Sequence, residues 1–270
     1  MEVSSTGNSG ILIENLIPMA TGSDQIKLEL KPKSNHEDFV RQYIETRKKE
    51  KRFYSNEEVM QLPDLPVSHT LFKEWQLRKK SAAMLRDFCQ KKKGPIKILE
   101  VGCGNGWLSA YLATIPLSEV TGIDINYVEL GQAQEVFNQK KNLRFICTDL
   151  SETNIPGHPF DIIVFAASIQ YFASINTVIK SAQSLLSSNG EIHIIDSHFY
   201  KATEVDAASR RTARYYSSLG FGDMSKYYFH HSLSDLSPFD YSVLFAPSLL
   251  QKILFRNPYP FYWIKIKGKG

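Results

Sequence analysis

Three glycines at alternating positions form the most informative motif of the chain. The segment EVGCGNG occupies residues 100–106, directly after a short apolar run and directly before a segment of helical character. Glycine permits a sharp turn and a close approach of a ligand to the backbone, because it has no side chain. The first N–H groups of a following helix attract negative charge. The motif therefore predicts a cofactor-binding loop at the end of a strand.

The spacing of the glycines distinguishes between two cofactor classes. A dinucleotide-binding loop has the pattern G-x-G-x-x-G, whereas Gly102, Gly104 and Gly106 are separated by single residues, the first of which is Cys103. Glu100 precedes the loop, and an acid there suits a cofactor with an ammonium and a sulfonium better than one with a pyrophosphate. The motif favours S-adenosylmethionine, with its methionine part nearest the loop.

Acidic residues end the next two apolar runs. Asp124, followed by Ile125, ends the second run, and a carboxylate at this place can accept both hydroxyls of a ribose. Asp149, followed by Leu150, ends the third run and is a candidate acceptor for the exocyclic amine of adenine. A helix cap or a turn is the alternative role for Asp124, and an Asx turn is the alternative for Asp149.

The fourth apolar run predicts the reactive end of the site. It ends at Ala166, and ligands of open parallel sheets lie beyond the carboxyl ends of the strands. Tyr171 follows and is a catalytic candidate, since its aromatic face would attract a sulfonium cation. Trp75, on an earlier helical segment, is a candidate to cover the cofactor; packing in the core is its alternative role.

Three further residues are candidate catalytic groups, because a hydroxyl acceptor benefits from a base within hydrogen-bond reach. Asp196 and His198 follow the fifth predicted strand, and His231 lies in an aromatic and histidine-rich segment at residues 227–231. That segment is interpreted either as an aromatic packing cluster or as a substrate lid. His193, inside the strand, is interpreted as a core histidine.

Strands that alternate with helices must position these residues. The alternation from residue 96 onward predicts an α/β fold with a doubly wound, mostly parallel sheet. The two closing strands are expected to pair antiparallel at one edge. The predicted strands are 96–101, 119–123, 143–147, 161–165, 191–196, 239–245 and 262–267, and the predicted helices between them are 107–115, 127–140, 177–186 (followed by a turn at 187–190) and 202–219.

The N-terminal part of the chain has a different character. Residues 1–68 are predicted to form an arm and a helical cap, and residues 69–270 a Rossmann-like domain with a lid-like, substrate-side insertion at 197–245. The basic stretch Lys48–Arg52 is interpreted as a solvated helix end. The local elements expected here are a strand at 25–31, helices at 37–52 (capped by Asn35) and 70–93, and a capping box from Ser55 to Glu58.

Composition narrows the function classes. A net charge of +4 over 270 residues is too mild to indicate a nucleic-acid binder. The three cysteines show no CxxC spacing, so we expect neither a disulfide framework nor a metal site, and a reducing cytoplasmic setting is the default. The apolar stretch at 11–20 is too short to span a bilayer. We therefore expect a soluble protein without a membrane span.

Taken together, these motifs resemble the class I, Rossmann-like S-adenosylmethionine-dependent methyltransferases over roughly residues 70–200. The matching positions are 98–106, Asp124, Asp149, 161–171 and 186–196. The resemblance implies seven strands with the last antiparallel, a contact of the backbone near Ala166 with the methionine amine, and S-adenosylhomocysteine as the product.

The resemblance also bears on the acceptor. Enzymes that methylate amino groups of bases or glutamine often carry an Asn/Asp-Pro-Pro-aromatic motif after the fourth strand, but residues 167–171 here read ASIQY. This favours the small-molecule branch, with oxygen as the methylated atom before nitrogen or carbon, and a bacterial metabolite as one hypothesis. The alternatives are an RNA or protein methyltransferase, for which basic residues at 41–52, 78–80 and 265–269 would form the footprint, and a non-catalytic cofactor-binding module.

Overall fold

The computed structural model describes residues 36–151, 155–247 and 259–268. The strand expected at 25–31 and the cap expected at Asn35 lie outside these ranges. The helices are α1 (Glu37–Lys49), α2 (Asn56–Gln61), α3 (Phe72–Gln90), α4 (Trp107–Leu112), α5 (Tyr127–Phe137), α6 (Ile175–Ser184) and α7 (Val205–Leu219). The strands are β1 (Ile96–Val101), β2 (Ser118–Asp124), β3 (Leu143–Cys147), β4 (Phe160–Ala166), β5 (Leu186–Ser197), β6 (Phe199–Tyr200), β7 (His231–Ser232), β8 (Tyr241–Phe245) and β9 (Tyr262–Lys267).

A seven-stranded sheet with the order β3-β2-β1-β4-β5-β9-β8 organises the described residues. The pairs from β3 through β5 are parallel, whereas β9 is antiparallel to both of its neighbours, β5 and β8. The predicted fold class is therefore confirmed, including the antiparallel pairing of the two closing strands. In this order β1 and β4 lie side by side at the centre, which places the glycine loop next to the end of β4.

The central strand β4 shows how the sequence builds the core on both faces of the sheet. Successive side chains of a strand point to opposite faces. Ile163 and Phe165 pack on one side with Ile179 of α6. Ile162 and Val164 pack on the other side in a cluster that includes residues of α3 and α4. A strand covered on both faces by helices must be apolar throughout, which is why its sequence is a continuous apolar run.

The prediction for residues 187–190 is wrong. Residues 187–190 were expected to form a turn after α6, but they belong to β5, which begins at Leu186. Pairing explains the difference: Leu186 is in register with Phe160 of β4, and the Gly190 carbonyl accepts the Gly268 N–H at 3.0 Å. These polar residues form a strand because backbone groups of distant segments of the chain complete the hydrogen bonds of their own backbone.

The segment between β5 and β8 carries α7 and a small two-stranded parallel sheet of β6 and β7. Gly220 ends α7 with φ +88, a left-handed conformation that glycine adopts readily. Earlier in the chain, the capping box predicted from Ser55 to Glu58 is present at the start of α2. Within the described ranges, no helix combines the length and apolar character needed to cross a bilayer.

Candidate active site

The glycine loop connects β1 to α4 through a backbone that only glycine fits. Gly102, Gly104 and Gly106 have φ values of +74, +52 and +75. A Cβ on Gly102 would lie 2.6 Å from the Cβ of Ser168, the second residue after β4. The loop is therefore packed directly against the end of β4, and the glycines permit both its turns and this close approach.

Asp124 lies beneath the loop at the end of β2, where the sequence places it. Its Oδ2 accepts the Gly104 N–H at 2.8 Å, and its Oδ1 accepts the Asn126 N–H at 2.8 Å. Burial raises the pKa of the Asp124 carboxyl. Each carboxylate oxygen has a second lone pair, so Asp124 can hold the loop and still accept a ligand hydroxyl.

Glu100 is a second buried acid at the same place and is 3 % exposed. The Ser109 hydroxyl of α4 donates to its Oε2 at 2.5 Å. Burial raises the pKa of Glu100 to about 8, the Ser109 hydrogen bond opposes this shift, and the nearby charge of Asp124 adds to it. The Cys103 thiol is buried beside these acids, and burial raises its pKa well above the ordinary value.

Glu129 of α5 is a third acid in the cleft, and the sequence analysis missed it. Its Oε2 accepts the Asn126 side-chain amide at 2.9 Å, and burial followed by the charge of Asp124 raises its pKa to about 7. A Cβ on Gly104 would lie 3.2 Å from this Oε2. The spacing of Asn126 and Glu129 was a usable signal, since an acid three residues after a helix cap commonly belongs to the cap. The sequence did not show that the carboxylate faces the loop.

Two buried carboxylates, Glu100 and Glu129, line one cleft together with Gly102, Gly104 and Ala166, and a third, half-buried carboxylate, Asp124, is joined to this lining through the Gly104 N–H. Their mutual repulsion would be relieved by a cationic ligand, because an opposite charge favours the ionised form of each acid. This donor set fits a cofactor that carries an ammonium and a sulfonium, and it would disfavour a pyrophosphate.

The helix α1 covers the cleft from the opposite side. Its residues Tyr43 and Arg47 line the cleft, and Arg47 Nη1 donates to Glu50 at 3.2 Å. Arg47 Nη2 also lies 3.5 Å from the Tyr171 hydroxyl, so α1 contacts the segment after β4. Tyr171 thus contacts a residue that lines the cleft, and its placement beside the sulfonium stays a prediction.

A chain of charged residues continues from α1 to α3. Arg52 contacts Glu50 at 3.5 Å and donates to Glu74 at 2.5 Å, and Arg78 donates to Glu74 at 3.2 Å. Burial raises the pKa of Glu74, but the hydrogen bonds and charges of the two arginines lower it to about 2. The interpretation of Lys48–Arg52 as a solvated helix end is wrong for Arg52, which lines the cleft and is 26 % exposed.

Trp75 is buried in the core and also lines the cleft, and its role as a cover for the cofactor stays a prediction. Its side chain is buried, and its indole N–H donates to the Tyr54 hydroxyl at 2.8 Å. The ring also lies edge-on to Trp107, with centroids 5.1 Å apart, and both tryptophans line the cleft. Trp75 therefore joins the core packing of α3 to the wall of the cleft.

The expected adenine end lies at the carboxyl end of β3. Asp149 Oδ1 accepts the Ser151 N–H at 2.7 Å, which is the Asx turn considered as an alternative, while its Oδ2 lies 3.4 Å from Nε2 of His36. Leu150 is buried in the core, and Ile125 is half-buried next to Asp124. Contact with adenine stays a prediction for these residues.

The candidate bases Asp196, His198 and His231 are not among the described residues that line the cleft. Asp196 is buried and accepts hydrogen bonds from Ser81 Oγ at 2.9 Å and from the Tyr259 hydroxyl at 2.7 Å. His198 is exposed, with its ring 4.6 Å from that of Phe261. These contacts reflect the turn after β5, where Asp196 has φ +54 and directs its side chain toward α3.

The two remaining histidines of the sequence analysis have structural partners. Nε2 of His231 lies 3.3 Å from the Ile169 carbonyl, and the side chain is buried. His193 is fully buried and accepts the Trp263 indole N–H at 3.0 Å, in agreement with its interpretation as a core histidine. A role for Asp196, His198 or His231 as a base therefore has no support from the contacts of these side chains.

Comparison with known proteins connects this cleft with methyl transfer. Residues 98–190 match the family described as "Methyltransferase domain". Among curated proteins, the chain is 34% identical over 115 residues to malonyl-[acyl-carrier protein] O-methyltransferase of Acetivibrio thermocellus, an alignment that covers 42% of this chain and 40% of that protein. It is 30% identical to ribosomal RNA small subunit methyltransferase C of Buchnera aphidicola over 42% of this chain and 36% of that protein. The chain thus matches about two fifths of the length of these relatives.

A solved structure resembles the chain over a larger part. Magnesium protoporphyrin IX methyltransferase from Synechocystis PCC 6803, with bound S-adenosylhomocysteine, has a TM-score of 0.56 and 16% identity, and the match covers 86% of this chain and 99% of that one. At this identity the similarity concerns the fold.

Proposed function

We propose that this chain, in which residues 98–190 match a methyltransferase domain, is a class I, Rossmann-like S-adenosylmethionine-dependent methyltransferase and that it methylates an oxygen atom of a small-molecule acceptor. The single observation that carries the proposal is the cleft between the glycine loop and α1, which Glu100 and Glu129 line and whose Gly104 is held by a hydrogen bond to Asp124. S-adenosylmethionine, when bound, supplies a methyl group on a positively charged sulfur.

Named residues of the chain would hold the cofactor. The loop at 100–106 would contact its methionine part, and the carboxylate of Asp124 would accept the ribose hydroxyls. Asp149 and the neighbouring residues at the end of β3 would face the adenine, and the backbone at Ala166 would contact the methionine amine. The acids Glu100 and Glu129 would stabilise the two positive charges at short range.

Methyl transfer to oxygen makes few demands on proton chemistry. The new bond joins the acceptor oxygen to the methyl carbon while the carbon–sulfur bond breaks, and the leaving group is a neutral thioether that needs no acid. A hydroxyl acceptor must also lose its proton, whereas a carboxylate is already ionised. The chain therefore contributes mainly by orienting the acceptor and by excluding water, for which α1 covers the cleft.

A small acceptor is favoured over RNA by the placement of the basic side chains. Arg47, Arg52 and Arg78 belong to the footprint that an RNA-binding role would use, but each of them faces the cleft, and each contacts Glu50 or Glu74. An RNA-binding surface would instead present such cations to solvent. The relatives act on different acceptors, according to their names: a malonyl-acyl-carrier protein, a ribosomal RNA and a magnesium porphyrin.

Two measurements test the proposal. Isothermal titration calorimetry should show binding of S-adenosylhomocysteine and no comparable binding of NAD, and Asp124→Ala should weaken the former by about tenfold or more through loss of the ribose contact. Incubation with isotope-labelled S-adenosylmethionine and a panel of hydroxyl and carboxyl compounds should give labelled ester or ether products in mass spectra.

Different outcomes separate the alternatives. Tighter binding of NAD than of S-adenosylhomocysteine would contradict the cofactor assignment. Cofactor binding without labelled product across a broad panel would favour a non-catalytic cofactor-binding module. Labelled RNA, with binding that weakens steeply as salt rises, would favour the RNA methyltransferase.

A further inference from the structure

The two walls of the cofactor cleft differ in the chemistry of their polar side chains. The loop wall, formed by the glycine loop and α5, carries the carboxyl groups of Glu100 and Glu129, which suit the cations of the cofactor. The cover wall, formed by α1, carries the phenol of Tyr43 and the guanidinium of Arg47, which donate hydrogen bonds. A molecule that lies between the cofactor and α1 would therefore meet donors and a positive charge.

Arg47 connects the cover wall with the segment that follows β4. Its Nη2 lies 3.5 Å from the hydroxyl of Tyr171, and Ala166 and Ala167, at the end of β4, line the same cleft. The reactive end of the cofactor is expected at this end of β4. The guanidinium is therefore on the side from which an acceptor would approach the methyl group.

Arg47 can bind an anion without losing its contacts within the protein. A guanidinium has several N–H donors; one is donated to Glu50 at 3.2 Å, and another faces Tyr171. The Tyr171 hydroxyl is the acceptor in this contact, so its own proton can be donated to a second partner. Burial raises the pKa of both Tyr43 and Tyr171, so their hydroxyls stay protonated. Because the side chain of Arg47 is only 22% exposed, an ion pair here is screened less than one at the surface.

The cleft offers little help to an acceptor that must lose a proton. Among the described residues that line it, none is a histidine or a lysine. Burial raises the pKa of Glu74, but two arginines lower it to about 2, which makes this carboxylate a weak base. Glu100 and Glu129 lie on the loop wall, where the proposed function has them face the cofactor. The lining thus suits an acceptor that is already ionised.

We infer that the acceptor is a small carboxylic acid and that Arg47, together with the hydroxyl of Tyr171, binds its carboxylate against the methyl group. The inference rests on the proposed function and names the acceptor group and the residues that hold it. One carboxylate oxygen forms the new bond to the methyl carbon, and the electron pair of the carbon–sulfur bond goes to sulfur. The charges of carboxylate and sulfonium cancel, the product is a methyl ester, and no proton has to leave.

Two matched cofactor analogues test the inference without knowledge of the whole acceptor. In the first, a carboxymethyl group replaces the methyl group of S-adenosylmethionine, so that a carboxylate lies where the acceptor oxygen would be. In the second, a carbamoylmethyl group gives the same shape without the charge. Calorimetry on the full chain should show about tenfold tighter binding of the carboxymethyl analogue. Equal affinities, or tighter binding of the carbamoylmethyl analogue, overturn the inference.

Variants assign this preference to residues. Arg47→Met should bring the ratio of the two affinities to about one, whereas Arg41→Met, an equal loss of charge at an exposed site on the same helix, should leave the ratio unchanged. Tyr171→Phe should lower the ratio by about threefold through loss of one hydrogen bond. The ratio is informative because looser packing of α1 would weaken the binding of both analogues alike.

The carboxylate of the cofactor itself is the alternative partner of Arg47. Both analogues carry that carboxylate, so Arg47→Met would then weaken both equally and preserve the ratio, which overturns the inference. The labelling experiment gives a second readout, since alkali releases labelled methanol from a methyl ester. A labelled product that is stable in alkali, as an ether is, overturns the inference as well.

The outcome is separable from that of the proposed function. Failure of the unaltered protein to bind S-adenosylhomocysteine would contradict the proposed function itself. Binding of S-adenosylhomocysteine together with equal affinity for the two analogues would contradict the carboxylate acceptor alone.

Discussion

The guanidinium of Arg47 lies 3.5 Å from the hydroxyl of Tyr171, so that a residue of α1 that lines the cleft contacts a residue that follows β4. The same guanidinium donates to Glu50 at 3.2 Å and lies over the ring of Tyr43, 4.8 Å from its centroid. The cleft is thus covered by a helix that precedes the Rossmann-like sheet in sequence and is attached to it by side-chain contacts.

Removal of Arg47 should speed the release of cofactor. Arg47→Met keeps the apolar stem but removes the contacts to Tyr171 and Glu50, so α1 should open more often. We expect the dissociation rate of S-adenosylhomocysteine to rise by about tenfold, with a smaller change in the association rate. Stopped-flow fluorescence of the cleft tryptophans measures both rates.

The matched control is Arg41→Met on the same helix. Arg41 is exposed and pairs locally with Asp38, so its loss should leave the dissociation rate unchanged. Equal dissociation rates for Arg47→Met and Arg41→Met would show that α1 does not retain the cofactor.

Replacement of Gly102 by alanine should destabilise the protein through backbone strain and through overpacking against Ser168. The added Cβ meets the Cβ of Ser168 at 2.6 Å, and φ is +74. We expect a loss of about 3 kcal/mol in the free energy of unfolding, from left-handed strain of about 1 kcal/mol and overpacking of about 2 kcal/mol. Urea denaturation measures this change.

Substitutions at two other glycines measure the effect of backbone strain without overpacking and the effect of alanine in an open helical position. Gly94 has φ +92 with no atom within 4 Å of an added Cβ, so Gly94→Ala should lose only the strain, about 1 kcal/mol. Gly131 lies inside α5 with open space around it, and Gly131→Ala should stabilise the protein by about 0.5 to 1 kcal/mol. A loss at Gly102 no larger than that at Gly94 would show that the loop is not packed against Ser168.

Glu100 should make the stability of the cofactor-free protein fall as pH rises. Its pKa is raised from 4.5 to about 8, so the folded protein retains a proton that the unfolded chain has lost. The stabilising contribution is complete below pH 4.5 and is lost as pH rises through about 8. Glu100→Gln should flatten this dependence in thermal unfolding, whereas Glu135→Gln, exposed on α5, should not. A Glu100→Gln protein with the slope of the unaltered chain would contradict the burial of an uncompensated acid.

Asp196 should prove to be a structural residue. Asp196→Ala leaves the hydroxyls of Ser81 and Tyr259 without their acceptor and should lower the free energy of unfolding by about 2 to 4 kcal/mol. A double-mutant cycle with Tyr259→Phe should give a coupling of about 1 kcal/mol or more. The affinity of the Asp196→Ala variant for S-adenosylhomocysteine should stay unchanged. A variant of unchanged stability that binds S-adenosylhomocysteine more weakly would show that Asp196 contacts the cofactor instead.

Much of the sheet could be predicted from the sequence because its signals are local. The bounds of β1, β3 and β9 agree with their apolar runs, and the glycine loop and Asp124 lie where strand order puts them. Residues 98–190 match a methyltransferase domain, as the sequence motifs there predict, and the order of strands confirms the expected fold.

The cover of the cleft could not be predicted in the same way. Arg47 meets Tyr171 across 124 positions of sequence, and Arg52 meets Glu74 across 22. Helical periodicity shows that a helix has an apolar face but not which other element that face contacts. The same limit explains why Glu129 was missed and why Asp196 was expected at the cleft: each is correctly placed along the chain, but its side chain is directed by tertiary packing.

The position of β9 has a consequence for the order in which the protein is assembled. Although it is the last described strand in the chain, it pairs with β5 on one side and with β8 on the other. During translation, β1 to β5 can form their parallel pairs first, but β8 has no place in the sheet until β9 has left the ribosome. Completion of the sheet therefore awaits a late, long-range pairing, the kind of step that slows folding.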